Sequence, residues 1–197
     1  LGERAVDGIS GSVTFEERMN GESLATIRLE GTPDDGMHPA HIHENTAAEG
    51  GAIAFTFNPI DGATGISKTN VAMLDDNSSF GYADVLTVDG YVNVHFSMDD
   101  LGTIVAQGDI GQNELTGNSE IYMLNAKDIM GVSGQVSFNE RQNGETLVSI
   151  MLTGITFSGD HPSHIHVGSV ADAPGGIAVT LTSVNTMGMS QTNVTMT

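Results

Sequence analysis

The segment Phe15–Gly31, FEERMNGESLATIRLEG, returns as Phe138–Gly154, FNERQNGETLVSIMLTG. The offset of 123 positions (138 − 15) also relates His41 to His164 and Asn70-Val71 to Asn193-Val194. One folding unit has therefore been written twice, and its elements have to close a core within about one such period. The copies are unequal. Thr197 corresponds to Leu74, so the segment Gly90–Gly102 of the first copy has no counterpart in the second. Leu1 corresponds to Leu124, and the run Ser119–Met123 has no counterpart in the first. The chain reads as a first repeat over residues 1–118 and a second, incomplete at its C-terminal end, over residues 119–197.

Within the first repeat the hydrophobic period is two. Val13 and Phe15 alternate with polar neighbours, and Asn20-Gly21 marks a hairpin. The return strand puts Leu24, Thr26 and Arg28 on one face and Ala25, Ile27 and Leu29 on the other. Pro33-Asp34-Asp35-Gly36 has turn chemistry, and short strands are expected over 39–44, 50–57, 90–98 and 102–110, with a turn over 58–65 and a polar stretch over 69–79. Twenty-five glycines and the lack of any sustained helical period agree with short strands and tight turns. The expected fold is all-β, a tandem array of Greek-key β-sandwich repeats of the immunoglobulin or superoxide dismutase-like kind.

All seven histidines fall into one pattern: His38, His41 and His43, the same spacing again as His161, His164 and His166, and His95 within Gly-Tyr-Val-Asn-Val-His-Phe. An H-x-H pair on a strand sends both imidazoles to one face. Ala40 and Ile42 are read as pointing inward with His41 and His43 outward. Val92, Val94, Phe96 and Met98 form an apolar face that leaves His95 on the other side with Tyr91, Asn93 and Ser97. Two such strands can bring His41, His43 and His95 into one cluster on the outside of a sandwich. Three neutral imidazoles suit copper or zinc and poorly suit calcium or magnesium. In the second repeat His164 and His166 form the same pair with His161 behind them, and no third ligand is in the chain. The acidic pairs Asp34-Asp35, Asp75-Asp76 and Asp99-Asp100 read as solvated turns, with a calcium site as the alternative. No serine or aspartate stands with a histidine in a nucleophile motif.

Six basic residues against 25 acidic ones give a net charge of −19, which disfavours nucleic acid and anionic membranes as partners. No transmembrane or signal segment is evident, so membrane insertion is not expected. There is no cysteine. Polar Asn/Asp-rich loops in a tandem array point to an extracellular, secreted or cell-surface setting.

The His-Pro-Ala-His-Ile-His motif of residues 38–43, the Gly-rich turn after it and the Gly-Tyr-Val-Asn-Val-His run of residues 90–95 resemble the CHRD (chordin-type) domain, found in tandem on bacterial secreted proteins. The resemblance spans residues 8–115 fully and 131–197 in part. Gly36–Glu44, Phe57-Asn58-Pro59 and Val94–Gly102 are also similar, in that order, to the copper half of the copper,zinc superoxide dismutases. That likeness implies copper ligands at His41, His43 and His95, a structural hydrogen bond from His38, and Asp99 orienting a ligand ring. It departs at Thr56, where the dismutases place their bridging histidine, and in having no arginine after His95 in the first repeat.

Three functions are compatible with these residues. One is an extracellular module holding copper, or zinc. Another is a structural or adhesive repeat whose histidines only brace the fold. The third is a copper-only dismutase-like enzyme, which the departures make the least favoured. The incomplete second repeat is expected to borrow strands from a neighbouring chain, as a homo-oligomer or filament, to pack against the first repeat, or to be a piece of a longer polypeptide.

Overall fold

A computed structural model describes residues 1–33, 36–156, 158–173 and 175–195. The Asp34-Asp35 pair of the expected Pro33–Gly36 turn lies outside them. The chain divides into two compact units, Leu1–Glu114 and Leu115–Thr197. Both are built of antiparallel strands, as the period-two patterning requires.

The first unit contains β1 (Gly2–Glu3), β2 (Ser10–Glu17), β3 (Ser23–Glu30), β4 (Met37–His38), β5 (Ala40–Glu44), β6 (Ile53–Thr56), β7 (Ile60–Asp61) and β8 (Ile66–Val71). A single turn of helix, α1 (Tyr82–Val85), precedes β9 (Asp89–Ser97) and β10 (Asp100–Gly111). One sheet has the order β1-β10-β9-β5-β6 and the other β2-β3-β8-β7-β4. Between them lies the sandwich core. Ala25, Ile27 and Leu29 from β3 meet Ala40 and Ile42 from β5, Val92 and Val94 from β9, and Val105 and Ala106 from β10. The Asn20-Gly21 signal acts as expected: Gly21 takes φ 83°, and the Arg18 amide donates to the Glu22 carbonyl to close the β2–β3 hairpin.

Three local expectations are revised. Phe96 and Met98 leave the apolar face and are 40% and 68% exposed. They lie at the end of the β9–β10 hairpin, where the register of β10 shifts between its pairings at Asp100, Ile104 and Ala106. The turn expected over 58–65 contains the two-residue strand β7, which pairs with both β4 and β8. The polar stretch beginning at Thr69 starts inside a strand, β8. Its hydroxyls are bonded inside the fold, since Ser67 donates to the Asn58 carbonyl at 2.6 Å and Thr69 accepts from the Asn58 amide at 2.9 Å.

The second unit contains β11 (Leu115–Leu124), β12 (Ser133–Arg141), β13 (Thr146–Thr153), β14 (His161–His166), β15 (Ile177–Val184) and β16 (Met189–Val194). Its sheets have the orders β11-β12-β13-β16 and β14-β15. Val148, Ile150, Leu181 and Val184 form its buried centre. Strand β11 runs through positions 118 and 119, where the sequence reading divides the repeats.

Candidate metal centre

Strand register brings the three histidines of the first unit together. On β5 and β9 the Cα partners are His41 with Asn93, Ile42 with Val92 and His43 with Tyr91. Ile42 and Val92 face the core at 1% and 0% exposure, so alternation sends His41, His43, Tyr91, Asn93 and His95 to the other face of the sheet. His95, two residues beyond Asn93, becomes the diagonal neighbour of His41. The ring centroids of His41 and His95 are 5.0 Å apart, and those of His41 and His43 are 5.8 Å apart. One ligand nitrogen from each of His41, His43 and His95 lies within 4.8 Å of the other two. This face is not open to solvent: the three side chains are only 8%, 9% and 6% exposed.

Backbone carbonyls decide which nitrogens face the centre. Nδ1 of His43 lies 3.0 Å from the Gly51 carbonyl oxygen, and Nδ1 of His95 lies 2.7 Å from that of Leu101. A carbonyl only accepts, so both Nδ1 atoms carry a proton and both Nε2 atoms keep their lone pairs in the neutral rings. Nδ1 of His41 stands 3.0 Å from Nε2 of His95 and donates to it. Nε2 of His43 is buried and has no hydrogen-bond partner. A desolvated lone pair beside two converging imidazoles is costly for a protein to keep unless something binds it. Three nitrogens at about 2.0–2.1 Å from one ion would be about 3.3–3.6 Å apart, so small ring rotations and loss of the His41 Nδ1 proton suffice. The donor set of His41 Nδ1, His43 Nε2 and His95 Nε2 therefore fits an ion of the copper or zinc kind.

Supporting groups hold these rings. The His43 ring stacks on Tyr91, with centroids 5.0 Å apart and planes at 21°, and the Tyr91 hydroxyl accepts from the Gly51 amide at 3.2 Å. Gly51 is thus tied at its amide to Tyr91 and at its carbonyl to His43. His38 is 1% exposed, and its Nδ1 donates to the His95 carbonyl at 3.3 Å. The His95 amide donates to the Pro39 carbonyl at 2.8 Å, so β9 is clamped to the β4–β5 segment at the ligand itself. Asp99 lies exposed in the two-residue turn between Ser97 and Asp100, and Leu101, not Asp99, supplies the acceptor for His95. Thr56 pairs with His41 across β5 and β6, and its amide and hydroxyl both donate to Asp75, at 3.1 and 2.7 Å. The backbone acceptors at Gly51 and Leu101 have no side-chain signature that a sequence motif could reveal; Asp75 reads from sequence only as half of an acidic turn pair, and Tyr91 is readable from its place on the His95 face.

In the second unit the His164 and His166 centroids are 5.9 Å apart at 80°, against 5.8 Å at 88° for His41 and His43. Nδ1 of His166 lies 2.8 Å from the Gly175 carbonyl oxygen, matching His43 and Gly51. Both His164 and His166 are exposed, and His161 is half-buried on the opposite alternation. The described residues of this unit bring no third imidazole to the pair.

Burial first, then the neighbouring His95 and His43 rings, push the His41 imidazole from its ordinary 6.5 down to about 4, with Asp75 opposing. Burial also lowers His95. Between these two values the unfolded chain binds a proton that folded His41 does not, so acidification favours unfolding. The contribution is complete above pH 6.5 and is lost as the pH falls toward about 4. For metal-free protein, urea midpoints are expected to fall between pH 7 and 4.5, and to fall less in His41→Asn. Equal slopes in the two proteins would contradict this.

Comparison of the chain with protein-family models, with curated proteins and with solved structures finds no match.

Proposed function

We propose that residues 1–114 form an extracellular β-sandwich module that binds one copper- or zinc-type ion through His41 Nδ1, His43 Nε2 and His95 Nε2. The observation that carries this reading is the division of labour at the rings. Gly51 and Leu101 occupy Nδ1 of His43 and of His95, which leaves their Nε2 atoms for the group that these two rings form with His41. Nε2 of His43 and of His38 are both buried without a hydrogen-bond partner, and of the two only His43 belongs to the three-imidazole group. The resemblance to CHRD repeats and to the copper half of the dismutases favours copper, and supports a repetitive secreted protein as the setting.

A bound ion would supply redox or Lewis-acid chemistry, and His41, His43 and His95 would hold it in a buried setting. A binding or electron-transfer role fits this chain better than fast dismutation. Thr56 is committed to Asp75 instead of bridging a second ion, and a net charge of −19 repels an anionic substrate.

Calorimetric titration with Zn(II) and Cu(II), together with elemental analysis of protein purified without a histidine tag or chelator, tests the reading. About one tightly held ion per chain is expected, and none would overturn it. The exposed pair His164 and His166 should add a second, weaker event, because two imidazoles bind less tightly than three and are more hydrated. His164→Ala is expected to remove that second event and leave the first unchanged; loss of both would show that the assignment of sites is wrong.

A further inference from the structure

In the second unit β11 lies antiparallel along β12, with Leu124 opposite Gly134, Met123 opposite Gln135, Tyr122 opposite Val136, Ile121 opposite Ser137 and Glu120 opposite Phe138. Tyr122 reaches the Phe138 ring edge-on, with centroids 5.9 Å apart at 80°. The 123-residue offset maps Gly134, Val136 and Phe138 onto Gly11, Val13 and Phe15, and Leu124 onto Leu1. The first rung of the same ladder is present in the first unit. The Leu1 amine donates to the Gly11 carbonyl at 2.8 Å, and the Gly11 amide donates to the Leu1 carbonyl at 3.0 Å.

Among the described residues no strand continues that ladder, and β2 is the terminal strand of its sheet. Because Gly11 turns both its N–H and its C=O toward Leu1, alternation turns those of Val13 and Phe15 to the same open side. The side chains of Val13 and Phe15 are only partly buried. Together with Val85, Leu86 and Ile110 they line a cleft of about 380 Å³. A terminal strand whose edge adjoins a cleft of mixed apolar and polar lining is an arrangement that accepts an added strand.

We propose that this edge receives an antiparallel strand of the Ser-Glu-Ile-Tyr-Met type, running on from the line of Leu1, with its tyrosine over Phe15. Each repeat of a tandem array is then completed by the strand that leads into it, as β11 completes the sheet of the second unit.

The test uses the full chain lengthened ahead of Leu1 by Ser-Glu-Ile-Tyr-Met, compared with the original chain and with the same extension carrying serine in place of its isoleucine and tyrosine. Amide exchange at Val13 and Phe15 is expected to slow at least about tenfold in the first extension alone. The thermal midpoint should rise by about 4 °C or more. Slowing by both extensions, or by neither, overturns the proposal. Slowing that appears in the original chain as its concentration is raised would assign the edge to a second copy instead, and overturns it as well.

Discussion

His95→Ala is expected to lower metal affinity by about a hundredfold or more and to leave the sandwich folded. Changes in groups that only support a ligand already cost about 10–100-fold in affinity, and His95 is proposed as a ligand itself. Its removal leaves His41 and His43, a pair like the exposed one on β14. The fold survives because β9 is held at this position by the backbone: the His95 amide bonds Pro39 and its carbonyl accepts from His38, and neither needs the imidazole. Isothermal titration beside a circular dichroism melt separates the two outcomes. Loss of the fold with loss of binding would instead favour a bracing role for the ring.

Gly51→Ala is expected to weaken binding by about 10–100-fold without touching a ligand. A Cβ at this position would overlap the Glu44 carbonyl, so the loop has to move. Any shift withdraws the carbonyl that holds His43 Nδ1 and the amide that bonds Tyr91. The His43 ring then loses the contact that fixes its protonation and orientation. A stability loss of about 1–3 kcal/mol should accompany the effect, the usual cost of overpacking. The affinity loss should exceed that of Gly50→Ala, where the added carbon meets only the Tyr91 hydroxyl at 4.0 Å, although the positive φ of 76° at Gly50 strains that variant locally. Equal affinities for Gly51→Ala and the unaltered chain would show that the carbonyl does not matter.

Much of this site was legible because a strand has period two. His41, His43, Tyr91 and His95 could be placed on one face from alternation with Ala40, Ile42, Val92 and Val94, and the faces are as read. Extending the same alternation to Phe96 and Met98 failed, since the shifted register of β10 has no counterpart in hydrophobic pattern. Burial of the histidine face was also illegible. So were the ring partners, which are backbone carbonyls of Gly51 and Leu101 and carry no mark in residue type. The turn read at residues 58–65 and the polar β8 share another cause: hydroxyls at Ser67 and Thr69 bond Asn58 inside the fold, so residues that resemble a loop can form a strand.

Nitrogen-15 NMR of the imidazoles during addition of one equivalent of Zn(II) addresses the proposed ligand set most directly. The account predicts large shifts at His41 Nδ1, His43 Nε2 and His95 Nε2, with no change at His38, His161, His164 or His166 until the second equivalent is added. Shifts that begin at the exposed His164 and His166, or that leave His43 Nε2 unmoved, would contradict a buried three-imidazole site.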